Sequence, residues 1–234
     1  MAENPVVRAL TARVRRGGSE PLLTWYQTAE GARTELSVRT FANWVDKTAN
    51  LLDSLGVEGR VAAPVSLAHP GHWMSLAWPV AAWQRGLCYL AGEPDADTEL
   101  VVVGPQEARP HAGLVTIACS LHPLGLGLRG LPDGVLDFSG EALAQPDAHL
   151  AEPVDGAATA WLDGERELNH AALGTIPPQS GRVLLRPSAA WPTLAAAIVA
   201  PVLGGGSAVV VDGPADADAL SAIAAAERAT SAVA

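Results

Sequence analysis

Residues 182–211 read RVLLRPSAAWPTLAAAIVAPVLGGGSAVVV, and this stretch decides the fold. It opens on Arg182-Val183-Leu184-Leu185 and closes on Ala208-Val209-Val210-Val211. Short apolar runs without alternation are what strands covered on both faces look like. Between them, Thr193 to Leu203 is long and apolar enough for a helix. Gly204-Gly205-Gly206 then makes the turn into the second strand, where glycine supplies positive φ. Strand, helix and strand in that order form a crossover between parallel neighbours.

The same alternation runs outward from this unit. Toward the N-terminus, Pro5 to Arg16 reads as a helix and Leu22 to Tyr26 as a strand. Gly31 turns the chain, and Thr34-Glu35-Leu36 returns as a hairpin partner. Ser37 is placed to cap a helix whose Phe41, Trp44, Val45, Ala49, Leu52 and Leu55 recur at spacings of three and four. Gly56 ends that helix at its C′ position, and Lys47, off the apolar stripe, is expected in solvent.

Arg60 to Leu67 reads as one short strand. A helix carrying Trp73, Leu76, Ala77, Val80 and Ala81 follows, with Pro79 as a kink and Gly86 as its stop. Leu87 to Leu90, Leu100 to Val103 and Leu114 to Ala118 are further strands, separated by an acidic loop at 91–98. Residues 120–157, rich in Gly, Pro and Asp, read as irregular. A helix near Asn169 to Leu173 precedes the opening stretch, and an Ala-rich helix from Ala215 to Arg228 follows it. The expected class is α/β, with mostly parallel sheets flanked by helices. Residues 1–234 read as one domain, with possible sub-layers 1–119 and 158–234 joined by 120–157.

Composition narrows the function. A net charge of -10 argues against a nucleic-acid partner or an anionic membrane surface, both of which require a positive face. Residues 1–16 lack the apolar core of a signal peptide, and no segment reaches the roughly 20 apolar residues of a membrane span, so a cytoplasmic chain is expected. The two cysteines, Cys88 and Cys119, sit in apolar strand contexts and read as buried free thiols rather than as a disulfide or a metal site.

Three stretches together resemble the N-terminal region of the adenylate-forming superfamily of acyl-CoA synthetases, luciferases and nonribosomal adenylation domains. In the first, Leu52-Asp53-Ser54-Leu55-Gly56-Val57 followed by Arg60-Val61 is similar to "LGVxxGDRV". In the second, Trp73, Ala81, Gly86, Tyr89, Leu90 and Pro94 fit "NxxEWxxxxLAxxxAGAxYxPLxP". In the third, Leu168 to Gly213 resembles the family's "LTH" segment and the crossover after it. There His170, Leu173, Arg182 to Leu185, Pro187, Pro201, Leu203, Gly205 and Val209-Val210 carry the match. Glu227-Arg228-Ala229-Thr230 is similar to the "ExxRVT" that follows.

The resemblance implies an ATP-dependent adenylating scaffold, whose phosphate loop "TSGTTGxPKG" stands just before "LTH". Such a loop needs consecutive backbone N–H groups among Gly, Ser and Thr, with a cation. Counting back from His170 places Gly156 to Glu165 there: Gly-Ala-Ala-Thr-Ala-Trp-Leu-Asp-Gly-Glu. Only Thr159 remains of four hydroxyls, Gly164 stands at the lysine position, and Asp163, Glu165 and Glu167 repel phosphate. Lys47 is the chain's one lysine against fourteen arginines, so no shift restores the cation. The family's later adenine, ribose and catalytic-lysine motifs are not found before Ala234.

No catalytic residue, metal ligand or cofactor is therefore assigned. A remnant acyl or aromatic pocket is expected near Trp161, His170, Ser188 and Trp191. The expected role is a non-catalytic binding or interaction module that forms a homodimer or binds another protein through a face the family's remaining domains would cover. Three alternatives stand open. The chain is an adenylating subunit completed by another chain, a hydrolase using Ser188 or His170, or a binder of coenzyme A or nucleotide without turnover.

Other patterns carry bland readings. Gly125 to Gly130 spells G-x-G-x-x-G but runs into Leu131-Pro132-Asp133-Gly134, a turn where a dinucleotide site needs a helix. His69 and His72 read as helix-terminal residues. His111, His122 and His149 lie in loops without a pattern.

Overall fold

The computed structural model describes residues 3–229 and the backbone of Ser231–Val233. In chain order it runs α1 (Pro5–Gly17), β1 (Pro21–Gln27), β2 (Ala32–Ser37), α2 (Val38–Ser54), β3 (Arg60–Ala62), α3 (Pro64–Ala68) and α4 (Trp73–Gln84). Four strands and a helix follow: β4 (Tyr89–Leu90), β5 (Thr98–Val103), β6 (Val115–Ala118), β7 (Val135–Asp137) and α5 (Phe138–Leu143). Next come β8 (Thr159–Leu162), β9 (Glu167–Asn169), α6 (His170–Leu173) and β10 (Arg182–Leu185). A bent helical stretch joins α7 (Ala190–Leu194), a π-helical turn Ala195–Val199 and α8 (Ala200–Gly204). The chain closes with β11 (Ser207–Asp212), α9 (Ala217–Ala226) and β12 (Ser231–Val233).

Two mostly parallel sheets result, as the alternation of strands and helices predicts. One has the order β12-β10-β11-β1-β2 and the other β7-β6-β5-β3-β4-β8-β9. The crossover of the opening stretch is present: β10 and β11 pair in parallel, Val183 opposite Ala208 and Leu185 opposite Val210. β11 also pairs in parallel with β1, so N-terminal and C-terminal strands share one sheet. The second sheet likewise takes β8 and β9 beside β4. Among the described strands only the hairpins β1–β2 and β8–β9 are antiparallel.

α4 is buried at all twelve positions, as a helix apolar all round must be. It links the two sheets. At its start His72 caps the Met74 N–H at 3.2 Å and meets the Trp25 ring of β1 edge-on at 4.6 Å. At its end the Trp83 indole N–H donates to the Ala160 carbonyl of β8 at 2.8 Å. Pro79 lies inside this helix, which continues to Gln84. Ser37 caps α2 by accepting the Thr40 N–H at 3.1 Å, and Gly56 with φ +68° ends it.

Several local expectations need correction. The run Arg60 to Leu67 is a strand only to Ala62, because Pro64 stands at the first turn of α3, where its fixed φ favours a helix. Residues 120–157 are not wholly irregular. They contain β7, paired with β6, and α5, capped by Asp137, with Phe138 fully buried 5.0 Å from the Trp78 ring. Lys47 is not solvated. Its Nζ donates to the Gln145 carbonyl at 2.6 Å and pairs with Asp147 at 2.8 Å, holding residues 145–147 against α2.

Of the glycine triplet, only Gly205 has positive φ. Gly204 and Gly206 are required by close approach, since a Cβ on Gly206 would stand 2.4 Å from the Gly181 carbonyl oxygen. Cys119 is buried and Cys88 half-buried, both free. Glu227 ties the end of α9 to the first sheet through Arg33 at 2.8 Å and Arg182 at 2.6 Å. Thr230, part of the motif expected there, lies outside the described residues. Among the described residues no helix is long and apolar enough to cross a membrane.

Candidate functional site: the β8–β9 hairpin

The segment expected to hold a phosphate loop is a tight hairpin. β8 enters beside β4, with Trp161 opposite Tyr89, and β9 returns antiparallel, with Leu168 opposite Trp161. Residues 163–166 turn the chain, closed by the Asp163 N–H donating to the Arg166 carbonyl at 3.1 Å. Asp163 stands at the first position of this turn, where a short carboxylate can accept backbone N–H groups two and three residues on.

The Asp163 carboxylate fills the concave side of this turn. One oxygen accepts the backbone N–H groups of Glu165 and Arg166, each at 2.8 Å. The other accepts the Trp161 indole N–H at 3.0 Å and lies 3.5 Å from the Arg166 guanidinium. Burial opposes ionisation of Asp163. The indole, the two backbone N–H groups and Arg166 outweigh it and hold the carboxyl below its ordinary range. Glu165 draws the outer face of Arg166 at 3.1 Å, and the Thr159 hydroxyl donates to Glu167 at 2.6 Å. The Glu165 and Arg166 N–H groups of the turn are thus already bonded to a carboxylate of the same loop.

Behind the turn lies an aromatic wall. Trp161, 1% exposed, stacks on Tyr89 at 5.6 Å and meets the half-buried Trp191 ring at 5.1 Å. The Tyr89 hydroxyl bonds Ser66 at 2.7 Å, and burial raises its pKa. Of the expected remnant pocket, Trp161 and Trp191 come together. Ser188 is exposed; its N–H donates to the Thr193 hydroxyl at 3.0 Å, and among the described residues no histidine or carboxylate is bonded to its side chain.

His170 is fully buried elsewhere, its Nδ1 taking the Asn4 side-chain N–H at 2.8 Å, and burial lowers its pKa. Gly156 accepts the Ala171 N–H at the base of α6, and Gly164 has open space where a side chain would stand. The residues missed from sequence are Tyr89 and Arg166, together with the role of Asp163 as the turn's internal acceptor. An aspartate followed by glycine and polar residues, a common opening of a turn, was the signal for the last. Among the described residues no cluster of His, Cys, Asp and Glu could hold a metal ion.

No protein-family model matches the chain. A protein of Mycobacterium tuberculosis described as a TIGR03089 family protein is 31% identical over 205 residues, covering 83% of this chain and 84% of its own length. The chain belongs to the TIGR03089 family. Solved structures extend the comparison at the level of fold. An acyl-CoA synthetase of Brucella canis superimposes on 98% of this TIGR03089 family chain with a TM-score of 0.76 at 18% identity. The amide bond synthetase McbA of Marinactinospora thermotolerans covers 97%, with a TM-score of 0.67 at 20% identity. The chain spans 46% and 48% of those two proteins, so about half of their length. The fold of this TIGR03089 family chain is that of the N-terminal region of acyl-CoA synthetases.

Proposed function

We propose that the chain is a non-catalytic relative of the adenylate-forming enzymes that acts as a binding or interaction module. One observation carries this reading. The Glu165 and Arg166 N–H groups converge on the Asp163 carboxylate, so an incoming phosphate would meet a fixed negative charge where it needs donors. Glu165 and Glu167 add like charge at the mouth of the turn, and the chain's one lysine is bonded to Gln145 and Asp147. The Trp161–Trp191 contact supports a remnant aromatic pocket beside this disabled loop.

Large apolar side chains in solvent support a partner: Leu150 is 91% exposed, Leu124 73% and Leu126 58%. A homodimer is the simplest assembly that covers them. ATP–pyrophosphate exchange with a panel of carboxylic acids tests the catalytic half of the proposal. No exchange is expected, and turnover by the purified chain would establish an enzyme. Light scattering at micromolar concentration tests the other half: a dimer is expected, and a monomer counts against self-association. Thermal-shift measurements with ATP, AMP and coenzyme A separate a disabled loop, which gives no nucleotide shift, from a site that binds without turnover.

A further inference from the structure

A cavity of about 760 Å³ opens between α1, α2 and the 147–153 segment, built from residues outside the β8–β9 hairpin. Its α1 wall presents Arg8, Thr11 and Arg15, spaced three and four apart on one helix face. Its α2 wall presents Arg39 and Asn43, one turn apart. The Arg39 N–H donates to the Gly18 carbonyl at 2.8 Å, so the start of α2 sits beside the end of α1. Arg15 and Arg39 therefore share one end of the cavity. Arg8 stands about two helical turns, roughly 10 Å, further along. Val7, Leu10, Val14 and Ala42 give the cavity an apolar floor.

The charge arrangement is the informative feature. The chain carries 25 acidic against 15 basic residues, and Arg13, Arg33, Arg60, Arg85, Arg166 and Arg182 all have carboxylate partners. Six arginines have no carboxylate and no side-chain hydrogen-bond acceptor among the described residues; Arg109, Arg129 and Arg228 lie apart, and Arg8, Arg15 and Arg39 line this one cavity. Of the four acids around the same cavity, Glu3 stands near the Arg8 end and the other three are engaged. Asp147 pairs with Lys47 at 2.8 Å, Glu152 with Arg85 at 2.6 Å, and Asp46 accepts the Gln84 amide at 2.7 Å. Arg8, Arg15 and Arg39 are exposed, and one buried group of the lining is left over as well. The His149 side chain, 5% exposed, bonds Asp53 through Nε2, and its Nδ1 has no partner.

We infer that this cavity binds a phosphate monoester with a short apolar tail. The Arg15 and Arg39 guanidiniums at one end, with the Thr11 hydroxyl and the Asn43 amide one turn away, outnumber the two oxygens of a carboxylate and suit the three oxygens of a dianionic phosphate, which arginine engages with paired N–H donors. The apolar floor takes the tail. The site uses none of the residues of the 163–166 turn, so it stands whether or not the chain adenylates.

Calorimetric titration of the full chain with n-octyl phosphate, octanoate, octanol and inorganic phosphate tests the inference. Octyl phosphate is expected to bind saturably at one site, more tightly than each of the others. Arg15→Gln/Arg39→Gln should weaken it by at least about tenfold. Thr11→Trp, at an exposed position on the cavity wall, should block it, and Arg109→Gln, an exposed arginine elsewhere, should leave it unchanged. Absence of saturable octyl phosphate binding overturns the proposal, as does equal binding by the double variant and by Thr11→Trp. Octanol or inorganic phosphate binding as tightly removes the head or the tail from the assignment, and equal octanoate binding removes phosphate selectivity.

Discussion

Replacing Asp163 by alanine is expected to weaken the fold because one carboxylate satisfies three donors at once. Two are backbone N–H groups at 2.8 Å and one is the Trp161 indole at 3.0 Å. A hydrogen bond to an ionised group contributes about 1.5–3 kcal/mol net, less where water replaces it. The Glu165 N–H is exposed and is rehydrated in the variant. The Trp161 indole belongs to a residue 1% exposed and is left without an acceptor, at about 1–3 kcal/mol. The sum is about 2–4 kcal/mol, or roughly 4–16 °C in Tm for a chain of this size.

Urea denaturation of both proteins from neutral pH to pH 3 reads the difference. Asp163 is more acidic in the folded chain than unfolded. Its contribution is therefore complete above the unfolded value of about 3.9 and fades as pH falls through the lower folded one. The gap between wild type and Asp163→Ala should narrow in acid. A gap below about 0.5 kcal/mol at neutral pH, or one that does not change with pH, would refute the reasoning.

Other perturbations probe the scaffold that holds the hairpin. Burial drives the His72 pKa down to about 3, so the folded chain keeps it neutral while the unfolded chain takes up a proton near pH 6.5. Stability from this group is full above about pH 6.5 and is lost at up to about 1.4 kcal/mol per pH unit as pH falls toward 3. His72→Asn keeps a capping acceptor and should remove that slope from a denaturation series; an unchanged slope contradicts it. Arg85→Met should cost about 2–3 kcal/mol in urea denaturation, since Arg85 joins Glu152 at 2.6 Å to Asp53 at 2.9 Å from a buried position. A loss below about 1 kcal/mol would count those pairs as surface interactions. Gly206→Ala should cost about 1–3 kcal/mol, because its Cβ meets two backbone carbonyl oxygens at 2.4 and 2.5 Å. An unchanged Tm would show that the 179–181 backbone yields.

Sequence pattern carried the fold where the period was long enough to read. The α2 stripe spans more than four turns, and β10 and β11 are uninterrupted apolar runs, so each announced its type. β7 and α5, three and six residues long, fall short of a full pattern, and the Gly and Pro around them hid both. Lys47 was misplaced because its partners, Gln145 and Asp147, lie about a hundred residues away and owe their position to tertiary folding. At the candidate site, the missing hydroxyls and cation were legible as residue types. The capture of the Glu165 and Arg166 N–H groups by Asp163 was not, because it depends on a turn geometry that Asp163-Gly164 suggests only once the flanking strands are paired. His170 and Ser188 follow the family's order in sequence, yet among the described residues they share no hydrogen-bond partner.

Amide NMR of Gly164, Glu165 and Arg166 during titration with magnesium-ATP tests the central claim most directly. Resonances that stay in place to millimolar nucleotide are predicted, because Asp163 retains the Glu165 and Arg166 donors and fixes the turn that holds Gly164. Saturable shifts centred on these three amides would show phosphate displacing the carboxylate and would contradict the account.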